Sequence, residues 1–236
     1  MICLHYSCWE NDTEKKPKPQ QHFSLILLMP NEKCTIIKNR KERHQIMTPA
    51  ETVKQTIIDY RPQDDREFKD KELILHYLDE GHDALERSDI IGHFTASAWI
   101  TDPSRQLILM AFHNIYKHWA WIGGHADGDG DLFAVAKREA VEETSVIDLK
   151  AVSANPISIE VLGVPSHIRR GEIVSAHLHF NVTYLFEADP DSPVFIKADE
   201  NSAVGWRTVE QVLSPFSEEE MIPIYTKLID RMQKMR

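Results

Sequence analysis

The spacing of apolar residues between positions 49 and 81 is that of two helices. Apolar side chains recur there every three or four residues, which predicts helices over 49–60 and 64–81. Thr48 and Glu51 have the spacing of a capping box, and Pro49 stands at the first helical position. We expect the second helix to end at Gly81. Its apolar residues should share one side: Phe68, Leu73, Leu75, Tyr77 and Leu78.

From Gly92 onward the pattern changes to that of strands separated by turns. Three runs rich in β-branched and aromatic residues predict strands, and the first two should form a hairpin across Asp-Pro-Ser. These runs cover residues 93–101, 105–114 and 117–122. Three more strands are predicted further along, at residues 156–165, 174–188 and 202–209.

The C-terminal segment has the charge distribution of a helix. Ser214 to Arg236 places acidic residues in the first turn and basic ones at the end, which the helix dipole favours. The acidic residues are Glu218, Glu219 and Glu220, and the basic ones are Lys234 and Arg236. Together the elements predict an α/β fold of the α+β type, in which helices cover the faces of a mixed sheet.

A loop rich in glycine and aspartate leads into a helix in the middle of the chain. Residues 125–131 (HADGDGD) cannot pack as a strand interior, so we expect a loop. Residues 132–144 predict a helix that Asp131 caps and that buries one stripe: Leu132, Val135, Ala136 and Ala140. On this helix Glu139, Glu142 and Glu143 lie within about 100° of arc. Such a cluster is usually a solvated acidic face; neutralisation by a divalent cation is the alternative.

The segment GGHADGDGDLFAVAKREAVEETSV resembles the Nudix box, G-x5-E-x7-R-E-U-x-E-E-x-G-U with U aliphatic, aligned over 124–146. Gly124 matches the opening glycine and Val146 the terminal aliphatic residue. Arg138 with Glu139, and Glu142 with Glu143, match the charged positions. Three further stretches look like a bacterial Nudix subgroup with a helical N-terminal segment: ALERSDIIGHFTASAWIT, WIGGHADGD and HLHFNVTYLFEA. This similarity covers most of residues 47–236. The resemblance implies the Nudix fold, a mixed sheet between helices.

The resemblance also implies an activity. Nudix enzymes hydrolyse the diphosphate linkage of a nucleoside diphosphate joined to another moiety, here with Mg²⁺ or Mn²⁺ held by Glu139, Glu142 and Glu143. Arg138 is expected to orient a carboxylate. The expected substrate-binding residues are Gly123, Gly124, His125, Arg169 and Arg170. The general base stays open, with Glu172 and Glu200 as weak candidates.

Two positions of the box depart from the family pattern. Gly130 occupies the place of the first glutamate, for which Asp129 or Asp131 could substitute, and Ser145 occupies that of the glycine after the helix. A left-handed residue there costs a non-glycine on the order of 1 kcal/mol. The alternative to the hydrolase is therefore a catalytically impaired nucleotide-binding or regulatory module. An isopentenyl-diphosphate isomerase-like activity is set aside, because residues 47–236 contain no cysteine.

Composition divides the chain at about residue 46. Residues 1–46 carry all three cysteines and a net charge of +3, whereas the remainder carries −13. We expect a poorly structured leader or a mis-assigned start over 1–46, a helical segment over 47–90 and the Nudix domain over 91–236. The net charge of −10 argues against a nucleic-acid scaffold as partner. The expected ligand is a small nucleotide-type molecule.

The remaining expectations concern location, assembly and histidines. The apolar stretch 23–30 is far shorter than the roughly 20 residues that cross a bilayer, so no membrane span is expected. Because residues 47–236 contain no cysteine, a disulfide-stapled secreted domain is excluded for them, and a cytoplasmic location is expected. A homodimer is an open option. His177 and His179 face one side of a predicted strand, a spacing that suits metal ligation as well as ordinary packing. Four other histidines lie on or beside the same sheet, and sequence alone does not show whether any converge: His93, His113, His118 and His125.

Overall fold

Two capped helices precede the sheet, as the apolar spacing predicts. A computed structural model describes residues 47–114, 117–169, 171–197, 201–214 and 219–235, so the expected leader over 1–46 lies outside the described residues. Helix α1 spans Pro49–Asp59 and helix α2 spans Asp65–Asp79. The capping box is confirmed: Thr48 Oγ1 accepts the Glu51 N–H at 3.3 Å, and the Glu51 carboxylate accepts the Thr48 N–H at 2.7 Å.

The buried side of α2 is the predicted one only in part: Tyr77 is buried and Leu75 and Leu78 pack against the core, but the other two predicted residues do not. Phe68 and Leu73 are 53% and 42% exposed, whereas Glu67, Ile74 and Tyr77 are buried. Hydrophobicity alone placed Phe68 inward. The helix instead turns Glu67 inward, about 100° away around the axis, because a buried arginine from the far end of the chain pairs with it. The helix ends at Asp79, and Gly81 follows with a positive φ of 84°.

Ten strands follow where six were predicted: the short strands over 150–151 and 167–169 were not predicted, and the strand predicted over 117–122 is divided in two and extends to His125. The first five are β1 (Gly92–Thr101), β2 (Leu107–His113), β3 (Trp119–Ala120), β4 (Ile122–His125) and β5 (Lys150–Ala151). The others are β6 (Ser158–Val164), β7 (His167–Arg169), β8 (Glu172–Val174), β9 (His177–Glu187) and β10 (Asn201–Thr208). The strand predicted over 174–188 is interrupted after Val174, because β8 pairs with β7 in a separate two-stranded ribbon. This ribbon turns at Gly171, whose φ is 86°.

Strand β1 is the centre of a mixed sheet. It runs parallel to β9 along its whole length, from Gly92 opposite Leu178 to Thr101 opposite Glu187. It is antiparallel to β2, which confirms the predicted hairpin, and antiparallel to β4. Strand β10 extends the sheet beyond β2, and β5 and β6 both pair with β9. The mixed sheet predicted from the sequence is therefore present.

Helices pack against the sheet through two apolar clusters. One cluster joins alternate β1 residues, Phe94 and Ala96 among them, to α1, α2 and helix α3 (Leu132–Thr144). The other joins Trp99 of the same strand to helix α5 (Ile222–Lys234), through side chains such as Tyr225. Side chains of β1 alternate between the two faces of the sheet and so contribute to both clusters, as expected of a strand that is buried along its whole length.

The last helix begins later than predicted. A short helix α4 covers Val209–Val212, and a 3₁₀ turn over Glu219–Met221 precedes α5 at Ile222. Pro223 lies in the first turn of α5, where a proline needs no N–H donor, and this position fits the observed start. Glu218 lies outside the described residues. Within the described part of the chain, no helix has the length and apolar character needed to cross a membrane.

A buried charge cluster joins the N-terminal helices to the C-terminal one. The guanidinium of Arg231 donates to Glu67, to the Ile157 carbonyl at 2.9 Å and to the Tyr60 hydroxyl at 3.2 Å. Lys227 Nζ lies 3.0 Å from the same Glu67 carboxylate. Burial raises the pKa of Glu67, but its hydrogen bonds and the charge of Lys227 outweigh burial and hold that pKa at about 2.

Candidate active site

A cavity of about 940 Å³ lies beside α3, between the loop that precedes it and the β7–β8 ribbon. Its lining mixes charges of both signs with histidines. The charged residues are Arg87, Asp127, Arg138, Glu139, Glu142 and Lys197. The histidines are His93, His113, His125, His167, His177 and His179. This size suits a nucleotide-sized ligand, since small-molecule pockets measure roughly 300–1,000 Å³.

Helix α3 presents its acidic face to this cavity because both of its ends and its apolar stripe are fixed. Asp131 caps the start by accepting the Ala134 N–H at 3.0 Å, as predicted. The predicted stripe is buried: Leu132, Val135, Ala136 and Ala140. Ser145 ends the helix in the left-handed conformation with φ 58°, so the cap geometry of the family is kept without glycine.

Arg138 stands among three carboxylates. It lies 3.3 Å from Asp129 and 4.0 Å from each of Glu139 and Glu142. Its planar guanidinium can therefore orient the α3 carboxylates, the role that the family resemblance implies. Asp129 supplies a loop carboxylate beside Gly130, where the family pattern has glutamate.

The three glutamates do not share one environment. In the described structure, Glu139 and Glu142 line the cavity, whereas Glu143 is buried behind it. The Glu143 carboxylate accepts the Gly123 N–H at 3.1 Å and the Asn201 amide at 2.8 Å. It therefore holds the turn before the loop to the start of β10.

Asn201 and Lys197 are site residues that sequence reasoning missed. Lys197 Nζ lies 3.8 Å from the Glu142 carboxylate, across the cavity wall. Both residues come from the segment that leads into β10, more than 50 residues after the box. A lone Asn or Lys at that separation has no local signal, because only the pairing of β10 with β2 brings it to the site.

Gly124 and Gly130 are positions of close approach. A methyl group at Gly124 would overlap the Glu139 carboxylate, so the absent side chain makes room for that group. At Gly130 a Cβ atom would stand 2.5 Å from the Pro49 Cα and 2.7 Å from its carbonyl carbon. The first departure from the box therefore has a steric reason: the start of α1 occupies the space that a glutamate side chain would need.

Four histidine rings gather at one end of the cavity. Imidazole nitrogens of His93, His125 and His179 lie within 4.8 Å of one another, and His177 Nε2 is 3.1 Å from His179 Nε2. Burial, reinforced by the neighbouring imidazoles, lowers the pKa of His179 to about 2. Burial also lowers the pKa of His93, so both rings are neutral near pH 7.

Among the described residues, the predicted substrate-binding residues and the candidate general bases do not all lie at the cavity. Arg169 is the last residue of β7, and Glu172 is exposed at the start of β8. Arg170 and Glu200 lie outside the described residues. Gly123, Gly124 and His125 end β4 and line the cavity, so they lie beside Glu139 and Glu142.

Comparisons with known proteins give one family. The NUDIX domain family matches residues 92–229, which is more than half of the chain. A NUDIX-family hydrolase structure from Clostridium perfringens is 18% identical, with a TM-score of 0.45, over 59% of this chain and 97% of that one. A C. elegans Ap4A hydrolase in a binary complex is 17% identical, with a TM-score of 0.43, over 60% and 98%. No curated protein matches.

Proposed function

The chain belongs to the Nudix family, and from that premise we propose that it is a pyrophosphohydrolase and propose its substrate class and metal dependence. The substrate is a nucleoside diphosphate joined to another moiety. A divalent cation, Mg²⁺ or Mn²⁺, supports hydrolysis of the diphosphate linkage. A homodimer and a cytoplasmic location stay predictions.

One observation carries the proposal: α3 carboxylates and cationic side chains line the same cavity. Glu139 and Glu142 supply hard oxygen donors, and Mg²⁺ sites commonly use one or two carboxylates together with substrate phosphates. The donor set therefore fits such an ion. Arg87, Arg138 and Lys197 balance the carboxylates of the lining, so a bound divalent cation would give the cavity a net positive charge and favour a polyanionic ligand.

Each residue of the chain has a role in this proposal. Glu139 and Glu142 would hold the cation, which when bound screens the diphosphate charge and lowers the pKa of a coordinated water. Arg138 orients both carboxylates from 4.0 Å. Glu143, the third metal ligand expected from the resemblance, is not among the described residues that line the cavity, so the proposal gives it a supporting role: its hydrogen bond fixes the Gly123 backbone at the cavity wall. Gly124 lets Glu139 approach that wall.

Product analysis of the purified full chain tests the proposal. It is incubated with Mg²⁺ or Mn²⁺ and a panel of nucleoside diphosphate derivatives, and the released monophosphates are separated by ion-exchange chromatography. We expect Glu142→Gln to lose at least about 100-fold in rate, since even outer-shell partners of a metal are worth 10–100-fold. Glu210→Gln, an exposed glutamate on α4, is the matched control and should keep full turnover. Turnover that Glu142→Gln leaves unchanged would refute the proposed roles.

A second candidate function is a nucleotide-binding module without turnover. Two observations favour it: the buried Glu143 carboxylate is held by Gly123 and Asn201, and Gly130 stands in place of the first box glutamate. Calorimetric titration with the same panel separates the two functions. Binding of a nucleotide derivative without any product favours the module, and product formation rules it out.

A further inference from the structure

We propose that His93, His125 and His179 form a binding site for a divalent transition-metal ion such as Zn²⁺, separate from the carboxylates of α3. The site lies in the same cavity and does not depend on the proposed function. Imidazole nitrogen suits zinc, cobalt, nickel and copper, whereas carboxylate oxygen suits magnesium and manganese. The cavity therefore offers two donor sets that select different ions.

The sheet register brings the three histidines together. His93 of β1 stands directly opposite His179 of the parallel strand β9. On the other side of β1, His125 of β4 stands opposite Thr95, two residues from His93. Because side chains two apart on a strand point to the same face, all three rings project from one face of the sheet. The backbone of three paired strands, rather than a flexible loop, sets their positions.

The rings already have the spacing of ligands around one ion. Ring centroids of His93 lie 5.1 Å from those of His125 and of His179, and the His125 and His179 centroids are 4.9 Å apart. A tetrahedral ion with Zn–N bonds of about 2.05 Å places imidazole centroids about 5 Å apart and nitrogens about 3.3 Å apart. The nitrogens here lie within 4.8 Å, so rotation of the rings, without movement of the strands, completes the site.

One ring nitrogen of His93 makes no hydrogen bond within the described part of the chain. Its side chain is 5% exposed, and its Nε2 finds no hydrogen-bond partner among the residues that the structure describes. The other nitrogen, Nδ1, lies 3.1 Å from the Asp89 carbonyl and must donate to it. In the neutral ring this fixes the proton on Nδ1 and leaves a lone pair on Nε2. A carbonyl that orients a histidine in this way is the usual outer-shell partner of a metal ligand.

A backbone carbonyl also orients the ring of His177, which lies at the edge of the site. Its Nδ1 donates to the Ser175 carbonyl at 2.8 Å, and its Nε2 lies 3.1 Å from His179 Nε2. Three histidine ligands leave the fourth position of the ion toward the cavity, where water or a phosphate oxygen binds in open three-ligand sites.

Cobalt titration of the full chain tests the site. Cys3, Cys8 and Cys34 are first replaced by serine so that thiolates do not compete for the ion. Addition of CoCl₂ alone should then give one equivalent of a visible-absorbing, nitrogen-coordinated complex. The Glu139→Gln, Glu142→Gln double variant should give the same spectrum, which separates this site from the carboxylates. A spectrum lost in that double variant would overturn the proposal.

Ligand variants complete the test. We expect His179→Gln to weaken cobalt binding on the order of 100-fold, and His76→Gln, an exposed histidine on α2, to leave it unchanged. His125→Gln is the second variant, because His125 lies on a different strand, at the end of β4. Circular dichroism establishes that each variant is folded. Equal cobalt affinity in the parent, His125→Gln and His179→Gln, or no binding by the parent, would overturn the proposal.

Discussion

Replacement of Gly130 by alanine should destabilise the fold, although it adds only one methyl group. The new Cβ would stand 2.5 Å from the Pro49 Cα and 2.7 Å from the Pro49 carbonyl carbon. Both atoms are backbone atoms at the capped start of α1, so they cannot rotate away as the end of a side chain can. The loop or the helix start must shift instead. Gly130 has no positive φ, so the effect is steric and not conformational.

The expected magnitude follows from the packing at this contact. Overpacking of a well-packed interior costs about 1–3 kcal/mol. For a domain of 150–250 residues this corresponds to a drop in Tm of about 2–12 °C. Complete detachment of α1 would also expose Val53 and Ile57, both 0% exposed, at about 1.5–3 kcal/mol each. Because detachment would cost this additional free energy, we expect α1 to shift and to stay packed on the sheet.

Urea unfolding of the full chain, followed by circular dichroism, measures the effect. The matched control is Gly163→Ala in β6, where a Cβ meets no atom within 4 Å. We expect the control to stay within about 0.5 kcal/mol of the parent. Gly130→Glu, which restores the box residue, should be at least as destabilising as Gly130→Ala. The steric reasoning is refuted if Gly130→Ala and Gly163→Ala unfold at the same urea concentration.

Four further predictions follow from contacts described above. Arg231→Met should lower the free energy of unfolding by about 3 kcal/mol in urea denaturation, because buried Glu67 loses its guanidinium partner and keeps Lys227 as its cationic partner. The folded-state pKa of Glu67, about 2, lies below its ordinary 4.5. Its contribution to the free energy of unfolding is therefore complete above pH 4.5 and is lost as pH falls toward 2. Acid unfolding curves of the parent and the Arg231→Met variant will show this loss. Ser145→Gly should raise Tm by a few degrees in calorimetry, since it relieves a left-handed cap worth on the order of 1 kcal/mol. Gly124→Ala should lower kcat/KM up to about 100-fold by displacing Glu139, with a smaller effect on stability.

Local signals account for what the sequence predicted well. The capping box at Thr48 and Glu51, the Asp131 cap and the apolar stripe of α3 each depend on residues within one or two turns. The box residues could be aligned for the same reason, because their spacing is fixed by one helix. The mixed sheet followed from the alternation of strand and helix patterns, and the structure has it.

Long-range contacts account for what the sequence did not predict. Glu67 turns inward because Arg231, 164 residues later, pairs with it. Asn201 reaches Glu143 across 58 residues, and the start of α1 excludes a side chain at Gly130. None of these partners is marked by a local pattern. The convergence of the histidines likewise depends on which strands pair, and a single sequence does not contain that pairing.

The parallel pairing of β1 with β9 also sets when the cavity can form. The two strands meet along residues 92–101 and 178–187, so 76 residues of the chain, 102–177, lie between the partners. During synthesis, β1 can find β2 and β4 early, but its parallel neighbour emerges only after residue 187. Such non-local pairing slows folding, because loop closure must precede the contacts that reward it. We therefore expect the helical N-terminal segment and the β1–β2 hairpin to form first, and the histidine end of the cavity to close among the last steps of folding.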